Sequence, residues 1–331
     1  MLRNLVFGCV ALVILLFGVI IFGITPEMEK NDTEPTPQKQ ISSFTLPIDT
    51  IITSDKIRHS IPLEEIRQGC RRQDCIPAIT HPEFISGTEA SSLLKPDSLG
   101  IALLYKNEAR FYPFSMLVTK EIVNDIVADD PLLITYCPLC GTGIVYKRTI
   151  NNKTYEFGVS GMLWQSNLLM YNREKSTENQ SLWSQVLGEA VAGVNTGQIL
   201  EMVPSDIMKF SDWYAIEKQG VVLNTGNTHD PYNGEYYVVA KRFLPNFNEV
   251  NSKLPPETYV YGIEYNGSFK AYPRNKISDG VIRDMIGNDI VDIKTANGIT
   301  NFFVNNKLIN DVEGFWFSWY AAHPETLIWT Q

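Results

Sequence analysis

The pattern of apolar and polar positions divides the chain into three regions. Residues Leu5–Ile24 form an apolar run of twenty residues without a charge. At about 1.5 Å per residue, a helix of this length crosses the hydrocarbon core of a bilayer. The polar stretch 26–43 contains three prolines and is typical of a flexible tether. The pattern therefore predicts a transmembrane anchor (1–25), a tether (26–43) and a globular ectodomain (44–331).

The charges around the apolar run indicate its orientation. Arg3 precedes the run, whereas Glu27, Glu29 and Asp32 follow it. By the positive-inside rule the N-terminus is cytoplasmic and the ectodomain extracytoplasmic, in a single-pass membrane protein. A cleavable signal peptide is the alternative, but no A-x-A-like site follows the run.

Short β-prone runs separated by turn residues indicate strands in the ectodomain. Residues 103–113 (LLYKNEARFYP) resemble residues 263–273 (IEYNGSFKAYP) at an offset of 160, and Trp213-Tyr214-Ala215 recurs at 319–321, an offset of 106. These matches predict two related pseudo-repeat units, about 100–224 and 260–330, packed as one ectodomain. Each unit is predicted to contain a hairpin, a short helix, several strands, and a final helix and strand. The predicted fold class is therefore α+β and β-rich.

The two offsets differ by 160 − 106 = 54 residues, which lie between about 137 and 205 in the first unit. A fold made of two similar units needs only what both units share. Residues that one unit holds alone are therefore better candidates for function.

That extra stretch begins with Cys137-Pro138-Leu139-Cys140-Gly141, between two β-prone runs. The pattern predicts a strand, a knuckle-shaped turn and a second strand. Two thiols at this spacing can bind a metal, close a disulfide, or act as nucleophile and resolving thiol. As metal ligands, thiolates favour soft ions such as zinc or copper(I).

Other polar residues are candidates to work with these thiols. Glu121, Asn124 and Asp125 are spaced to share one helical face, and Glu121 could serve as a ligand or general base. Arg173 could hold an anionic group, and Trp183 could stack on a ring, unless Trp183 belongs to the core. The predicted ligand-binding residues are Ser160, Ser166, Asn167, Tyr171, Trp183 and Gln185.

Composition narrows the function classes. The 331-residue chain has a net charge of −9 and 44% hydrophobic residues, so it can build a core and lacks the basic footprint of a nucleic-acid binder. Its five cysteines are too few for a disulfide scaffold. A local Cys70–Cys75 disulfide is expected outside the cell.

Several segments closely resemble a prokaryotic family known as domain of unknown function 3179. The resemblance covers most of 75–330 and includes EIVND (121–125), TYCPLCGTG (135–143), FGVSG (157–161), SLWSQVLGEAVAG (181–193) and FWFSWYAAHPET (315–326). It implies domain boundaries and candidate positions but no reaction. Where the family usually has a His before EIVND, this chain has Lys120, which weakens the case for a metal ligand there.

The sequence thus predicts a membrane-anchored extracytoplasmic protein with a thiol-based site, metal-binding or redox. Its catalytic group would be Cys137, Cys140, Glu121 and Arg173, and the metal ligands Cys137, Cys140 and Glu121. The alternative is a non-catalytic binding module for a small molecule or surface polymer, in which the two knuckle cysteines form a structural disulfide. Whether the protein is an enzyme does not follow from the residues.

Overall fold

The computed structural model describes residues 52–54, 57–226 and 253–330. Strands make up 50% of these residues and helices 12%. The predicted α+β class is therefore wrong, and the described chain is mainly β. The helices are one or two turns long and lie between strands: α1 (Gly87–Ala90), α2 (Phe114–Leu117), α3 (Phe210–Ile216) and α4 (Trp316–Ala322), with 3₁₀ turns at Leu63–Glu65, Thr177–Asn179 and Arg274–Lys276.

The predicted transmembrane segment and tether lie outside the described residues. Among the residues that are described, no helix is long and apolar enough to cross a membrane.

Two sheets form the first half of the fold, with strands numbered in chain order. Sheet A has the order β17 (Asp206–Lys209), β5 (Leu99–Tyr105), β6 (Glu108–Pro113), β18 (Val221–Asn224) and β4 (Glu83–Ser86). Sheet B has the order β16 (Met202–Val203), β9 (Thr142–Lys147), β8 (Asp130–Cys137) and β7 (Ile122–Val127).

Two further sheets form the second half. Sheet C has the order β25 (Asp311–Phe315), β19 (Tyr259–Tyr265), β20 (Ser268–Pro273) and β26 (Leu327–Ile328). Sheet D has the order β21 (Gly280–Ile286), β22 (Asp289–Ala296), β23 (Ile299–Val304) and β24 (Lys307–Ile309).

Sheets A and C pair their strands in the same register. In each, one short strand runs antiparallel to the hairpin and another runs parallel to it. The corresponding pairs are Lys209↔Leu99 with Phe315↔Tyr259, and Val221↔Arg110 with Leu327↔Lys270. Members of these pairs differ by 106 or 160 positions, the two offsets seen in the sequence.

A seven-stranded sheet, sheet E, has no counterpart in the second half among the described residues. Its order is β1 (Ile52–Ser54), β2 (Ile57–His59), β15 (Glu189–Gly193), β14 (Ser181–Ser184), β13 (Asn167–Asn172), β12 (Phe157–Trp164) and β3 (Arg67–Gln68). The hairpin β10 (Thr149–Ile150) and β11 (Lys153–Thr154) precedes β12.

Sheet E covers one face of sheet B, and a shared apolar core joins them. Residues of both sheets, such as Leu133 and Trp183, belong to this core. Asn124 of β7 fastens the two sheets, because its amide accepts from Phe157 N (2.7 Å) and donates to Phe157 O (2.8 Å). The corresponding position in sheet D is Arg283, which forms an ion pair with Asp292 across the strands (2.7 Å).

The Asn124 clamp gives a stability prediction. We expect Asn124→Ala to destabilise the fold by about 2–4 kcal/mol, because it leaves a buried backbone donor and a buried acceptor unpaired. The measurement is the free energy of unfolding in urea.

Arg283→Ala is the matched control, since it changes the corresponding strand position in sheet D, whose face no sheet of the described residues covers. Its side chain is 71% exposed, and we expect no measurable loss of stability. Equal losses in the two variants would contradict the assigned role of Asn124.

Candidate functional site

The two cysteines lie on the predicted knuckle between two strands. Strand β8 ends at Cys137 and β9 begins at Thr142, and these two residues pair across the turn. Cys140 N donates to Cys137 O (3.1 Å), which closes the turn. Gly141 has a φ of +63°, and a Cβ there would lie 3.0 Å from the Tyr259 ring. The knuckle therefore requires glycine at this position, both for the backbone and for the packing.

Residues from the second half of the fold donate hydrogen bonds to the knuckle. Phe315 N donates to Cys140 O (2.8 Å), and the Tyr259 hydroxyl donates to Gly141 O. Both contacts satisfy turn carbonyls that would otherwise be buried without a partner. The position of the thiols thus depends on both halves of the fold.

Both thiols are free and buried, with Cys137 1% exposed and Cys140 0% exposed. The Cys140 Sγ lies 3.3 Å from Ser166 O, and the Cys137 Sγ lies 3.9 Å from the same carbonyl. Ser166 presents this oxygen from a turn in which Gln165 and Ser166 both have positive φ. The sulfurs therefore share one polar contact inside the core.

The amide of Asn167 faces Cys140. Its Nδ2 lies 3.5 Å from the Cys140 Sγ, and its Oδ1 accepts from Val186 N (3.0 Å). Because Oδ1 is already used by a backbone donor, the amide must point its N–H groups at the sulfur. The same Nδ2 donates to Gln185 Oε1 (2.9 Å).

Gln185 completes the polar network beneath the thiols. Its Oε1 also accepts from Thr142 Oγ1 (2.8 Å), and its Nε2 donates to Thr135 Oγ1 (3.0 Å). Sequence reasoning selected Asn167 and Gln185 for a ligand pocket. Here they form a buried network that orients one amide at Cys140.

The environments of the two thiols differ. Burial raises the pKa of Cys137 well above its usual value, and the hydrogen bond with Cys140 adds to the rise. Burial also acts to raise the pKa of Cys140, but hydrogen bonds from Cys137, Ser318 and Asn167 outweigh it and lower the pKa. Cys140 is therefore the thiol better prepared to carry negative charge.

Ser318 of α4 was missed by sequence reasoning. Its hydroxyl is buried, has no partner at standard hydrogen-bond geometry among the described residues, and lies close enough to Cys140 to help lower the pKa of that thiol. The residue lies in the FWFSWYAAHPET segment, about 180 residues after the knuckle, and nothing in the local pattern connects it to the thiols. Only the packing of the second half on the knuckle brings it there.

Glu121 lies beside the thiols in a strained conformation. Its φ of +58° is rare for a residue with a long side chain, and such strain is concentrated at functional sites. The backbone is fixed because Glu121 N donates to Leu117 O (2.6 Å) and Glu121 O accepts from Tyr136 N (2.8 Å). Burial, and then the nearby Cys137, raise the pKa of this carboxyl well above its usual value.

The predicted helical face of Glu121, Asn124 and Asp125 is wrong. Residues Ile122–Val127 form strand β7, which the β-branched pattern IVNDIV favours over a helix. Asn124 and Asp125 therefore point to opposite faces of the strand. Asp125 accepts from Arg110 and from Tyr112 (both 2.6 Å), so only Glu121 of the three lies beside the thiols.

The remaining predicted site residues have other contacts. Arg173 pairs with Asp74 (2.9 Å) and Glu156 (2.5 Å), and the Tyr171 hydroxyl donates to Asp74 (2.6 Å). Trp183 is fully buried and packs edge-on against Phe157. The Ser160 hydroxyl donates to Leu169 O (2.5 Å) where β12 bulges.

Cys70 and Cys75 form the expected disulfide, with their Cα atoms 6.4 Å apart. It closes a loop that lies on β12, where Cys70 N donates to Gly161 O (3.0 Å) and Asp74 N donates to Val159 O (2.8 Å). Across the described ranges, no three side chains of His, Cys, Asp or Glu form a group that could hold one metal ion.

The fold and the site define the class as a mainly β protein with a buried dithiol on a turn between two strands. The chain belongs to the family described as protein of unknown function, DUF3179, whose family model matches residues 73–308. No curated protein and no solved structure matches the chain.

The raised pKa of Glu121 gives a pH prediction. A carboxyl whose pKa is raised by folding supports stability below its unfolded pKa, near 4.5, and loses that support as the pH rises. We therefore expect Glu121→Gln to raise the thermal midpoint at pH 8, by roughly 2–4 °C per kcal/mol relieved, and to have little effect at pH 4.

The exposed Glu178, changed to Gln, is the control and should show no such pH dependence. A Glu121→Gln variant that is less stable than the wild type at pH 8 would mean that the carboxylate is a structural partner.

Proposed function

We propose that this protein is an extracytoplasmic metal-binding protein in which Cys137 and Cys140 hold one soft metal ion. Among zinc and copper, copper(I) fits better, because two thiolates suffice for it whereas zinc almost always takes four ligands at a structural site. Glu121, whose carboxyl lies near Cys137, is the candidate for the group that takes up the thiol protons. The observation that carries this proposal is the pair of free, buried sulfurs with N–H donors from Asn167 and the backbone beside them.

The N–H donors beside the sulfurs favour a thiolate at Cys140 and reduce the cost of one at Cys137. Burial raises the pKa of Cys137, and the backbone N–H groups of Leu168 and Cys140 offset part of this rise, while the Asn167 amide helps to lower the pKa of Cys140. In a purely apolar core such donors would be buried without an acceptor, which is costly. Buried thiolates accept hydrogen bonds from them, and this offsets the cost of desolvation. A bound cation would supply the remaining charge compensation, as the two thiols give up their protons.

Burial of the sulfurs favours an ion over a protein partner. Disulfide exchange with another protein requires a third sulfur to approach the pair. With Cys140 0% exposed, such an approach needs the knuckle to open. An ion is much smaller than a protein partner, and Glu121, which lies near Cys137, is partly exposed.

The disulfide supports an extracytoplasmic location, because disulfides persist in oxidising compartments. Membrane attachment, and a small molecule or surface polymer as a partner, stay predictions from the sequence.

The metal proposal is tested by copper titration of the full chain. Copper(I) is supplied with a colorimetric chelator and ascorbate, which leaves the Cys70–Cys75 disulfide intact. We expect one copper per chain, and a loss of affinity of at least about 100-fold in Cys137→Ser and Cys140→Ser, since each change removes one of two thiolates. Zinc is titrated in parallel. If the chain binds zinc more tightly than copper(I), the assignment of copper is wrong.

Cys9→Ser, a change in the predicted membrane segment, is the matched cysteine control and should bind like the wild type. If a knuckle variant does not fold, Asn167→Ala tests the same site, because it removes a donor to Cys140 and should weaken binding about 10- to 100-fold. Wild-type copper affinity in the folded Cys140→Ser variant would refute the proposal.

A second candidate, reversible oxidation of the pair, is favoured by the divergent pKa values of the two thiols. Cys140 as thiolate and Cys137 as thiol would close a disulfide, passing two electrons and one proton to an external disulfide, which is reduced to one thiol and one thiolate. Alkylation after equilibration with glutathione buffers distinguishes the two. Loss of both alkylatable thiols at an extracytoplasmic redox poise favours oxidation, and protection only by copper favours metal binding.

A further inference from the structure

The outer edge of β21 is an open sheet edge in the described part of the chain. Sheet D ends at β21, and no described strand pairs with its outer side. A Cβ added at Gly280, where β21 begins, would have no heavy atom of the described residues within 4 Å. An edge of this kind presents unpaired backbone N–H and C=O groups and can pair with a strand of another chain.

The first half of the fold shows that this edge accepts an added segment. The hairpins β7–β8 and β21–β22 pair in the same register at an offset of 159 positions, so Ile122 corresponds to Val281. By the same offset, Asn124 corresponds to Arg283. In β7 the outer edge is closed by Ile79, whose N donates to Ile122 O (2.9 Å) and whose O accepts from Asn124 N (2.8 Å).

The same alternation identifies the backbone groups at the edge of β21. Since every second residue of a strand directs both backbone groups to one side, Val281, Arg283 and Met285 present theirs at the outer edge. Met285 O agrees with this orientation, because it accepts from Lys270 Nζ (3.0 Å). Lys270 therefore occupies one end of the edge, and Val281 and Arg283 carry the groups that another strand could use.

The side chains beside this edge are largely apolar. Val281 is 67% exposed, Met285 46% and Ile290 47%, and all three belong to the hairpin β21–β22. The charge of Arg283, which lies between Val281 and Met285 along the strand, is balanced by Asp292 (2.7 Å). Clustered exposed apolar side chains are typical of a protein interaction site.

We propose that β21 pairs with β21 of a second copy of this chain, antiparallel and about a two-fold axis at Ile282. Val281 then lies opposite Arg283 of the second copy and exchanges two backbone hydrogen bonds with it, and the symmetric pair adds two more. This register uses the backbone groups of Val281 and Arg283 and leaves the bond between Lys270 and Met285 in place. The two copies of sheet D become one continuous sheet.

The sequence of β21 is complementary to itself in this register. Ile282 lies opposite Ile282 of the second copy, which makes an apolar pair at the centre. Val281 packs against the alkyl stem of Arg283 of the second copy. Asp279, which is exposed and comes directly before β21, is brought towards the same Arg283. The two-fold axis repeats each of these contacts, so a second copy of the chain fits this edge better than an unrelated strand does.

Disulfide crosslinking of the full chain tests the pairing. The two copies of Ile282 would have their Cα atoms about 4.5 Å apart, which is within the range of a disulfide. After mild oxidation, we expect Ile282→Cys to give a disulfide-linked dimer on a non-reducing gel, above the background that the native cysteines set in the wild type. Ile290→Cys, on the neighbouring strand, is the matched control and should stay at that background.

Two changes at Arg283 separate backbone pairing from side-chain contacts. In the Ile282→Cys chain, Arg283→Pro removes an N–H that points to the second copy and that β22 does not use, so the crosslink should fall to background. Arg283→Ala keeps this N–H and should keep most of the crosslink. Equal crosslinking in these two variants, or background crosslinking in folded Ile282→Cys, would overturn the proposal.

Hydrogen exchange of the wild type gives a test that needs no variant. Such a short pairing is weak, so dimers should form between about 1 and 100 µM. We expect the amides of Val281 and Arg283 to become more protected over this range. Protection that does not change with concentration would overturn the proposal, and strong protection already at the lowest concentration would mean that another segment of the same chain covers the edge.

Discussion

The fully buried amide of Gln185 is the constraint on which the thiol site depends. It uses both its acceptor and its donor group, towards Thr142 and Asn167 on one side and Thr135 on the other. These contacts connect β8 and β9 of sheet B with β13 of sheet E. Because an unpaired amide at this depth is costly, the three strands must meet in one register. That register places the Asn167 amide against Cys140.

The two halves show how a covered and an uncovered face differ in sequence. Asn124 and Leu133 pair across β7 and β8 beneath sheet E, whereas Arg283 and Asp292 pair across β21 and β22, where no described sheet covers them. An amide clamp and a leucine suit a dry interface, and a cross-strand ion pair suits solvent. The surface chemistry of each half follows from whether sheet E is present.

Local signals were sufficient for some elements and misleading for others. The knuckle and the hairpin turn at Lys106-Asn107 could be predicted, since turn residues flanked by β-prone runs have few other solutions. The segment from Glu121 to Asp125 has a spacing compatible with a helical face, and only its β-branched neighbours indicate a strand. Tertiary pairing in sheet B decided between these signals.

Site residues were harder to predict because their partners are distant in sequence. Arg173 has the chemistry to bind an anion, but Asp74, about a hundred positions earlier, already occupies it. Trp183 could stack on a ligand, but its ring is core and its Nε1 donates to Asn172 Oδ1 (3.0 Å). Ser318 reaches Cys140 only because the second half packs on the knuckle. Residue type alone therefore predicts ligand-binding roles for side chains that already have partners in the fold. It also misses contacts made between the two halves.

The burial of the sulfurs decides which chemistry is compatible with the site. A large substrate would need to displace Ser166 and Asn167, whose contacts fix the turn and the Gln185 network. Glu121 is the part of the site that combines partial exposure with a strained backbone, and its strain is maintained by hydrogen bonds from β8 and from the end of α2. Strain that the surroundings hold in place is expected where a side chain must point at a reacting or binding group. An ion held by the two sulfurs, as proposed above, would leave these contacts in place, whereas a macromolecular partner would have to break them.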